Sequence, residues 1–266
     1  MIQEIISFDL CGKVAHFRKF YSSSTALSYT IPPKTTIIGL ISAILGLGRD
    51  TYYDDYDNWF IGVQIISPIK KIFQKFNYLN VKSVEFNIEN EYSYVNGFDN
   101  RTQISVELLI PENIREEVLK YRIYIGVVER EDDYFQKLKK CLVNNNGIFG
   151  VALGGANMLG YYENYIYKYK FSQINQKEIV LKSSAFADNV ELINGNNEMI
   201  VEQDIFPLKM TTQNKTKSKG IATRIATETK SLIYPINESG MYVKIINHTN
   251  FYQITNKNET ANIALI

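Results

Sequence analysis

Histidine and cysteine are scarce. Two histidines, His16 and His248, and two cysteines, Cys11 and Cys141, in 266 residues leave too few ligands for a multi-histidine zinc centre, a zinc ribbon or a disulfide framework. No metal and no cofactor is expected. An excess of one charge sign is also missing: 29 basic residues face 28 acidic ones, a formal net charge of +1. That excludes a globally basic nucleic-acid binder and leaves room for a local basic face. Long apolar runs are absent as well. The longest, Ile37 to Leu47, is interrupted by glycine and Ser42 and is shorter than the roughly 20 residues that cross a bilayer. It reads as a buried helix. The opening Met1-Ile-Gln-Glu-Ile-Ile-Ser-Phe-Asp lacks a basic segment and carries two acids where a secretory signal is apolar. The expectation is a cytoplasmic, globular chain with no membrane partner.

What is present supports a sizeable core. Hydrophobic residues make up 45% and charged residues 21%, a balance that excludes disorder as the main state. The 19 tyrosines and 14 phenylalanines suit strands and stacking surfaces. Gln3 to Leu10 reads as a first strand. Pro32-Pro33 cannot continue a ladder, and a helix is expected from about Thr36 to Leu45, ending at Gly46 and Gly48. Its small residues Gly39, Ala43 and Gly46 share a face, on which the helix can approach a sheet closely. Asp50, Asp54, Asp55 and Asp57 lack the spacing of a calcium loop and read as a surface turn. Strands are expected at 60–66, 82–95, 101–110 and 121–128, the middle two forming a long hairpin across the Asn96-Gly97 step. Residues 132–143 carry Phe135, Leu138 and Leu142 on one helical face. A glycine-rich segment and a strand at 161–171 follow. After residue 175 the pattern becomes short strand-like pieces, with a polar, basic stretch from Thr211 to Lys230 that reads as a solvated loop. The division expected is 1–175 and a small β-rich domain over 176–266.

The order strand, helix, strands, hairpin, strand, helix, glycine-rich loop, strand fits an α+β, ferredoxin-like sheet with helices on one face. Two segments carry candidate chemistry. In Phe149-Gly-Val-Ala-Leu-Gly-Gly-Ala-Asn-Met-Leu-Gly, backbone N–H groups without neighbouring Cβ atoms can approach phosphates. No Walker pattern or dinucleotide fingerprint is present, and a tight helix-to-strand connection explains the glycines equally well. Gly12 to Lys34 mixes cations with tyrosines and hydroxyls, which suits phosphate contact and base stacking but is equally the composition of a solvated loop. No Gly-x-Ser-x-Gly elbow occurs, and a lone histidine is more often structural than catalytic.

Phe8-Asp-Leu-Cys-Gly-Lys-Val-Ala-His-Phe-Arg-Lys-Phe-Tyr, followed by Ser28-Tyr-Thr-Ile-Pro-Pro-Lys-Thr-Thr-Ile-Ile-Gly-Leu-Ile-Ser-Ala-Ile-Leu-Gly, resembles the start of the CRISPR-associated Cas-five family. Asn100-Arg-Thr-Gln-Ile-Ser-Val-Glu-Leu-Leu, Tyr121-Arg-Ile-Tyr-Ile and Leu153-Gly-Gly-Ala-Asn-Met-Leu-Gly extend the resemblance over about residues 5 to 170. It implies a RAMP-superfamily domain with a projecting thumb hairpin, near 82–110 with its tip around Tyr94 to Arg101, and a smaller β domain. The function implied is a subunit of a type I Cascade complex, of the I-B kind, which caps the 5′ handle of the guide RNA in antiviral defence. Its partners would be that RNA, the large subunit, the terminal backbone subunit and, through the complex, target DNA. Implied RNA-binding residues are His16, Arg18, Tyr29, Lys34, Tyr94, Arg101, Gly154, Gly155 and Asn157. One branch of the family cleaves repeat RNA with a tyrosine, a lysine and a histidine, the last two adjacent after the thumb. Here that stretch reads Leu119-Lys120-Tyr121-Arg122, without histidine. A non-cleaving subunit is therefore expected, the alternative being a metal-independent endoribonuclease in which Tyr29 and Lys120 are partial remnants.

Overall fold

The structure, a computed structural model, describes residues 1–53, 55–79, 101–193, 199–213, 223–257 and 259–266. The first part of the chain contains β1 (Glu4–Gly12), β2 (Phe17–Arg18), β3 (Ser28–Tyr29), α1 (Lys34–Leu45), β4 (Trp59–Ile65), β5 (Ile69–Leu79), β6 (Arg101–Pro111), β7 (Leu119–Val127), α2 (Asp133–Asn144) and β8 (Gly160–Ile166). Short strands follow: β9 (Lys170–Gln173), β10 (Glu178–Leu181), β11 (Ala185–Phe186) and β12 (Val190–Leu192). The last are β13 (Val201–Gln213), β14 (Thr223–Pro235), β15 (Met241–Ile245), β16 (Phe251–Thr255) and β17 (Thr260–Ala264). Among the described residues the architecture is mostly sheet with two α-helices, in keeping with an α+β chain.

A four-stranded antiparallel sheet in the order β4-β7-β1-β8 forms the centre. Ile6, Phe8 and Leu10 of β1 point to one face, where they meet Ile37, Ile41 and Ile44 of α1 and Phe135, Leu138 and Leu142 of α2 in one core. Proline at the helix boundary has no N–H to satisfy, and α1 starts at Lys34, directly after Pro33. Gly46, at φ 76°, ends it by donating its N–H to the carbonyl of Ala43. The Asp132 side chain caps α2 by accepting the N–H of Phe135 at 2.8 Å. The small-residue face of α1 does not meet the sheet. A Cβ on Gly39 would lie 3.0 Å from the Tyr52 hydroxyl and one on Gly46 2.6 Å from Ile148. The close approach is therefore to the loops after each helix.

The second face of the sheet is covered too. Ile5 and Tyr124 pack with Tyr169, just before β9, and with Tyr252, Ile254 and Ile263 from the sheet β17-β16-β9. This explains why β1 is buried on both faces along almost its whole length. Across the strand pair Asp9↔Arg122, the Arg122 guanidinium holds the buried Asp9 carboxylate at 2.8 Å and Glu259 at 2.7 Å. A bulge in β8 at Asn164, φ 51°, brings that amide within 3.0 Å of Asp9. At the other edge, Ile61 and Ile266 exchange backbone N–H···O bonds of 2.9 and 3.0 Å.

Two parts of the sequence reading change. The partner of β6 is β5, paired from Ile69↔Pro111 to Leu79↔Arg101, whereas the sequence pattern had placed it at 82–95. That expected strand, the Asn96-Gly97 turn and Tyr94 lie outside the described residues. The basic stretch 211–230 is not an open loop where it is described. Residues 211–213 end β13 and 223–230 begin β14, which pair antiparallel from Val201↔Pro235 to Gln213↔Thr223 with irregular register around Pro207 and Lys209.

Candidate nucleic-acid interface

The segment after β1 is tied down on three sides. Ala15 exchanges backbone hydrogen bonds of 2.8 and 3.0 Å with Leu109, and Ala26 accepts from Glu107 while donating to Ser105. His16 donates its backbone N–H to Leu153 of the glycine-rich loop at 2.9 Å. From the third side, Lys19 pairs with Asp204 of β13 at 2.6 Å, and Tyr21 donates to the same carboxylate at 2.6 Å. Neither a free solvated loop nor a single ladder describes this segment. It is a strap held between β6, β13 and the glycine loop.

Two glycines of that loop are demanded by close approach. Gly154 has φ +99°, and a Cβ there would fall 1.8 Å from the carbonyl oxygen of His16. A Cβ on Gly160 would fall 2.8 Å from the carbonyl oxygen of Cys11, whereas Gly150 has open space around it. Leu153 donates to Met158 and Met158 to Gly155, so the loop folds back on itself and leaves Gly154 and Asn157 exposed.

Between strap, glycine loop and α1 runs a groove of about 620 Å³. Its lining includes His16, Arg18 and Phe20 of the strap, Gly154 and Gly155 of the loop, and Thr35, Thr36 and Gly39 of α1. Tyr52, Tyr53, Tyr78 and Arg224 also line it, and no carboxylate does among the described residues. Of the groove's two arginines only Arg18 lacks a carboxylate partner among the described residues, since Asp50 pairs with Arg224, so the positive local field centres on Arg18. Arg18 is exposed, with one contact of 3.3 Å to the Ser22 carbonyl. Arg224 is held by Asp50 at 2.7 Å, and Tyr53 donates to the same carboxylate oxygen at 2.7 Å. Burial alone would raise the Asp50 carboxyl. The Tyr53 hydroxyl and the Arg224 guanidinium outweigh it and hold the group below its ordinary range. His16 sits with Nδ1 2.7 Å from the Glu107 carbonyl. Burial lowers its pKa and the Arg18 charge adds to this, against the pull of that hydrogen bond. The imidazole is therefore neutral at pH 7.

Of the residues expected from the sequence, His16, Arg18, Gly154 and Gly155 meet in this groove, and Asn157 is exposed on the same loop. Tyr29 lies beside it in the core, 1% exposed, stacked on Phe206 at 4.2 Å and donating its hydroxyl to the Ile205 carbonyl at 2.6 Å. Lys34 turns to the backbone oxygen of Ile266 at 3.2 Å and the ring of Phe60; burial pushes its amine down to about 8. Lys120 pairs with Glu163 at 2.7 Å. The side chain of Arg101, like Tyr94, lies outside the described residues. Sequence reasoning missed Arg224, Tyr52 and Tyr53. The available signal was charge complementarity: the acidic turn after α1 receives the basic hairpin, Asp50 to Arg224 and Asp57 to Lys209 at 2.8 Å.

Residues 5–111 match the family described as CRISPR-associated protein (Cas_Cas5). No curated protein matches the chain. Among solved structures, a CRISPR protein from Archaeoglobus fulgidus is similar over 98% of this chain and 99% of its own, at 15% identity and a TM-score of 0.57. At that identity the likeness is one of fold. A subunit of a CRISPR RNA-guided surveillance complex aligns over 87% of this chain and 89% of its own, at 10% identity and a TM-score of 0.46. A chain of a type III-B Cmr-beta complex bound to cognate target RNA aligns over 97% and 99%, at 12% identity and a TM-score of 0.47.

Proposed function

We propose that this chain, whose residues 5–111 match the CRISPR-associated Cas-five family, is a member of that family and a non-cleaving RNA-binding subunit of a type I Cascade complex, of the I-B kind. In this reading it caps the 5′ handle of the guide RNA and contacts the large subunit and the terminal backbone subunit. The observation that carries the proposal is the groove whose lining brings together the exposed Arg18, Arg224 and the backbone of Gly154 and Gly155, with no carboxylate among its described lining residues. Arginines neutralise phosphates, bare glycine backbone lets a sugar–phosphate chain come close, and Phe20 and Tyr78 offer rings for bases.

The strand and helix order β1-α1-β4-β7-α2-β8, with the sheet order β4-β7-β1-β8, supports a ferredoxin-like core over residues 1–175 with a second β-rich domain over 176–266. The β5–β6 hairpin, inserted between β4 and β7, supports the thumb. Two groups that a cleaving relative would use are otherwise engaged, which supports a non-cleaving role. The Tyr29 hydroxyl is buried against β13 and raised well above its ordinary range, by burial first. Lys120 is paired with Glu163.

End-labelled CRISPR repeat RNA mixed with the purified chain in chelator tests this directly. Salt-sensitive retention of uncut RNA is expected. Arg18→Ala and Arg224→Ala should each weaken it by about 1–2 kcal/mol and lower the salt slope by roughly 0.7 per lost phosphate contact. A discrete metal-independent product would overturn the proposal in favour of the endoribonuclease.

A further inference from the structure

A second groove, of about 660 Å³, opens at the other end of β8. The end of β8 supplies Tyr165, the turn after it Tyr167 and Lys168, and the start of β9 Lys170, while the turn between β16 and β17 supplies Asn256 and Lys257. Three of its lining residues are lysines and none is acidic. Among the described residues, none of the three lysines forms an ion pair. The nearby carboxylate of Glu259 is already held by Arg122 at 2.7 Å. Lysines concentrated on one wall without counter-charges repel one another, a cost that an anionic ligand removes.

The aromatic residues narrow the choice of anion. Tyr167 is 64% exposed, an unusual position for a large ring, and stands 6.4 Å from the ring of Tyr165. The Tyr165 hydroxyl is buried in the same wall without a hydrogen-bond partner among the described residues. Rings beside cations, Tyr165 and Tyr167 with Lys168 and Lys170, match a strand of nucleic acid with its bases unpaired, because phosphates meet the ammonium groups while a base lies on a ring. An acidic peptide would use the lysines and leave the exposed tyrosine without a purpose. We propose that this groove binds the backbone of single-stranded nucleic acid, with Lys168, Lys170 and Lys257 on phosphates and Tyr167 stacking a base.

The two grooves are joined by one structural feature. β8 is the edge strand of the central sheet, and its seven residues separate the glycine loop from the lysine groove by roughly 20 Å. The second site goes beyond handle capping and does not depend on it.

A fluorescent oligouridylate, which carries no handle sequence, is titrated into the full chain at several salt concentrations. The triple variant Lys168→Ala/Lys170→Ala/Lys257→Ala is expected to bind on the order of tenfold or more weakly, with a salt slope smaller by about 2. The triple Lys→Arg variant should retain binding, and Tyr167→Ala should lose on the order of tenfold. In the Arg18→Ala background the triple alanine variant should cause the same further loss of oligouridylate binding as in the wild type, while Arg18→Ala alone weakens handle RNA, so the two proposals fail separately. Unchanged oligouridylate binding in the triple alanine variant overturns the inference, as does no binding by the wild-type chain. Lysine-dependent binding of polyglutamate with indifference to oligouridylate would also overturn it and assign the groove to an acidic protein segment.

Discussion

The carbonyl oxygen of His16 occupies the space that a side chain at Gly154 would need. With φ at +99° and a Cβ falling 1.8 Å from that oxygen, Gly154→Ala must move the strap or the loop. The expected cost is about 2–3 kcal/mol, read as a lower urea midpoint together with weaker RNA retention. His16 itself gives a pH signature. Its unfolded value lies near 6.5 and its folded value below that, because burial disfavours the cation and Arg18 adds to the effect. The stabilisation of the neutral imidazole is fully present above pH 6.5 and is lost as pH falls through the folded value. Urea midpoints of the wild type should drop between pH 7.5 and 5.5, and those of His16→Asn should drop less.

Among the elements, both helices, β1, β4, β6, β7 and β8 were legible from apolar spacing and capping residues. β5 was not, because Ile69, Ile72, Phe73 and Phe76 recur at helical rather than alternating intervals. The β13–β14 hairpin was hidden by polarity. Thr211, Lys209, Glu228 and Lys230 are polar on both faces of the ribbon, and its apolar anchor is local, Phe206 stacked on Tyr29. The strap and glycine loop were legible as candidate site segments, because unusual residues mark them in the chain. Tyr29 and Lys34 looked like ligand-facing groups, and a tyrosine or lysine in the sequence carries no mark of the direction in which it points. The Asp9–Arg122–Glu259 link joins two sheets, and one partner is buried. Arg122→Met should therefore cost about 3–5 kcal/mol by leaving the Asp9 carboxylate unpaired, measured by chemical denaturation, and Asp9→Asn/Arg122→Met should recover much of that loss.

At the scale of the whole molecule, the sheet is closed on both faces, by the helices on one and by β9, β16 and β17 on the other. The sheet face on which RNA-recognition modules hold their ligand is thereby covered, and the grooves lie in loops along its margins. The C-terminal strands are structural partners of the core: Phe206 and Tyr234 belong to the same apolar cluster as Trp59 and Phe135. A fragment of residues 1–175 is expected to expose Tyr29 and the β4 edge, to bind a hydrophobic dye and to melt without a cooperative transition, as checked by calorimetry.

The groove walls come from residues near 16, 35, 52, 154 and 224, which bears on the time at which the protein becomes competent. During synthesis the chain emerges from its N-terminus at about 5–20 residues per second, and contacts of such long sequence separation form late. The strap is complete early, yet the arginine that faces it across the groove leaves the ribosome only after five-sixths of the chain has been made. A nascent chain therefore has no finished groove. On the proposed RNA-binding reading, loading would wait until the polypeptide has closed upon itself.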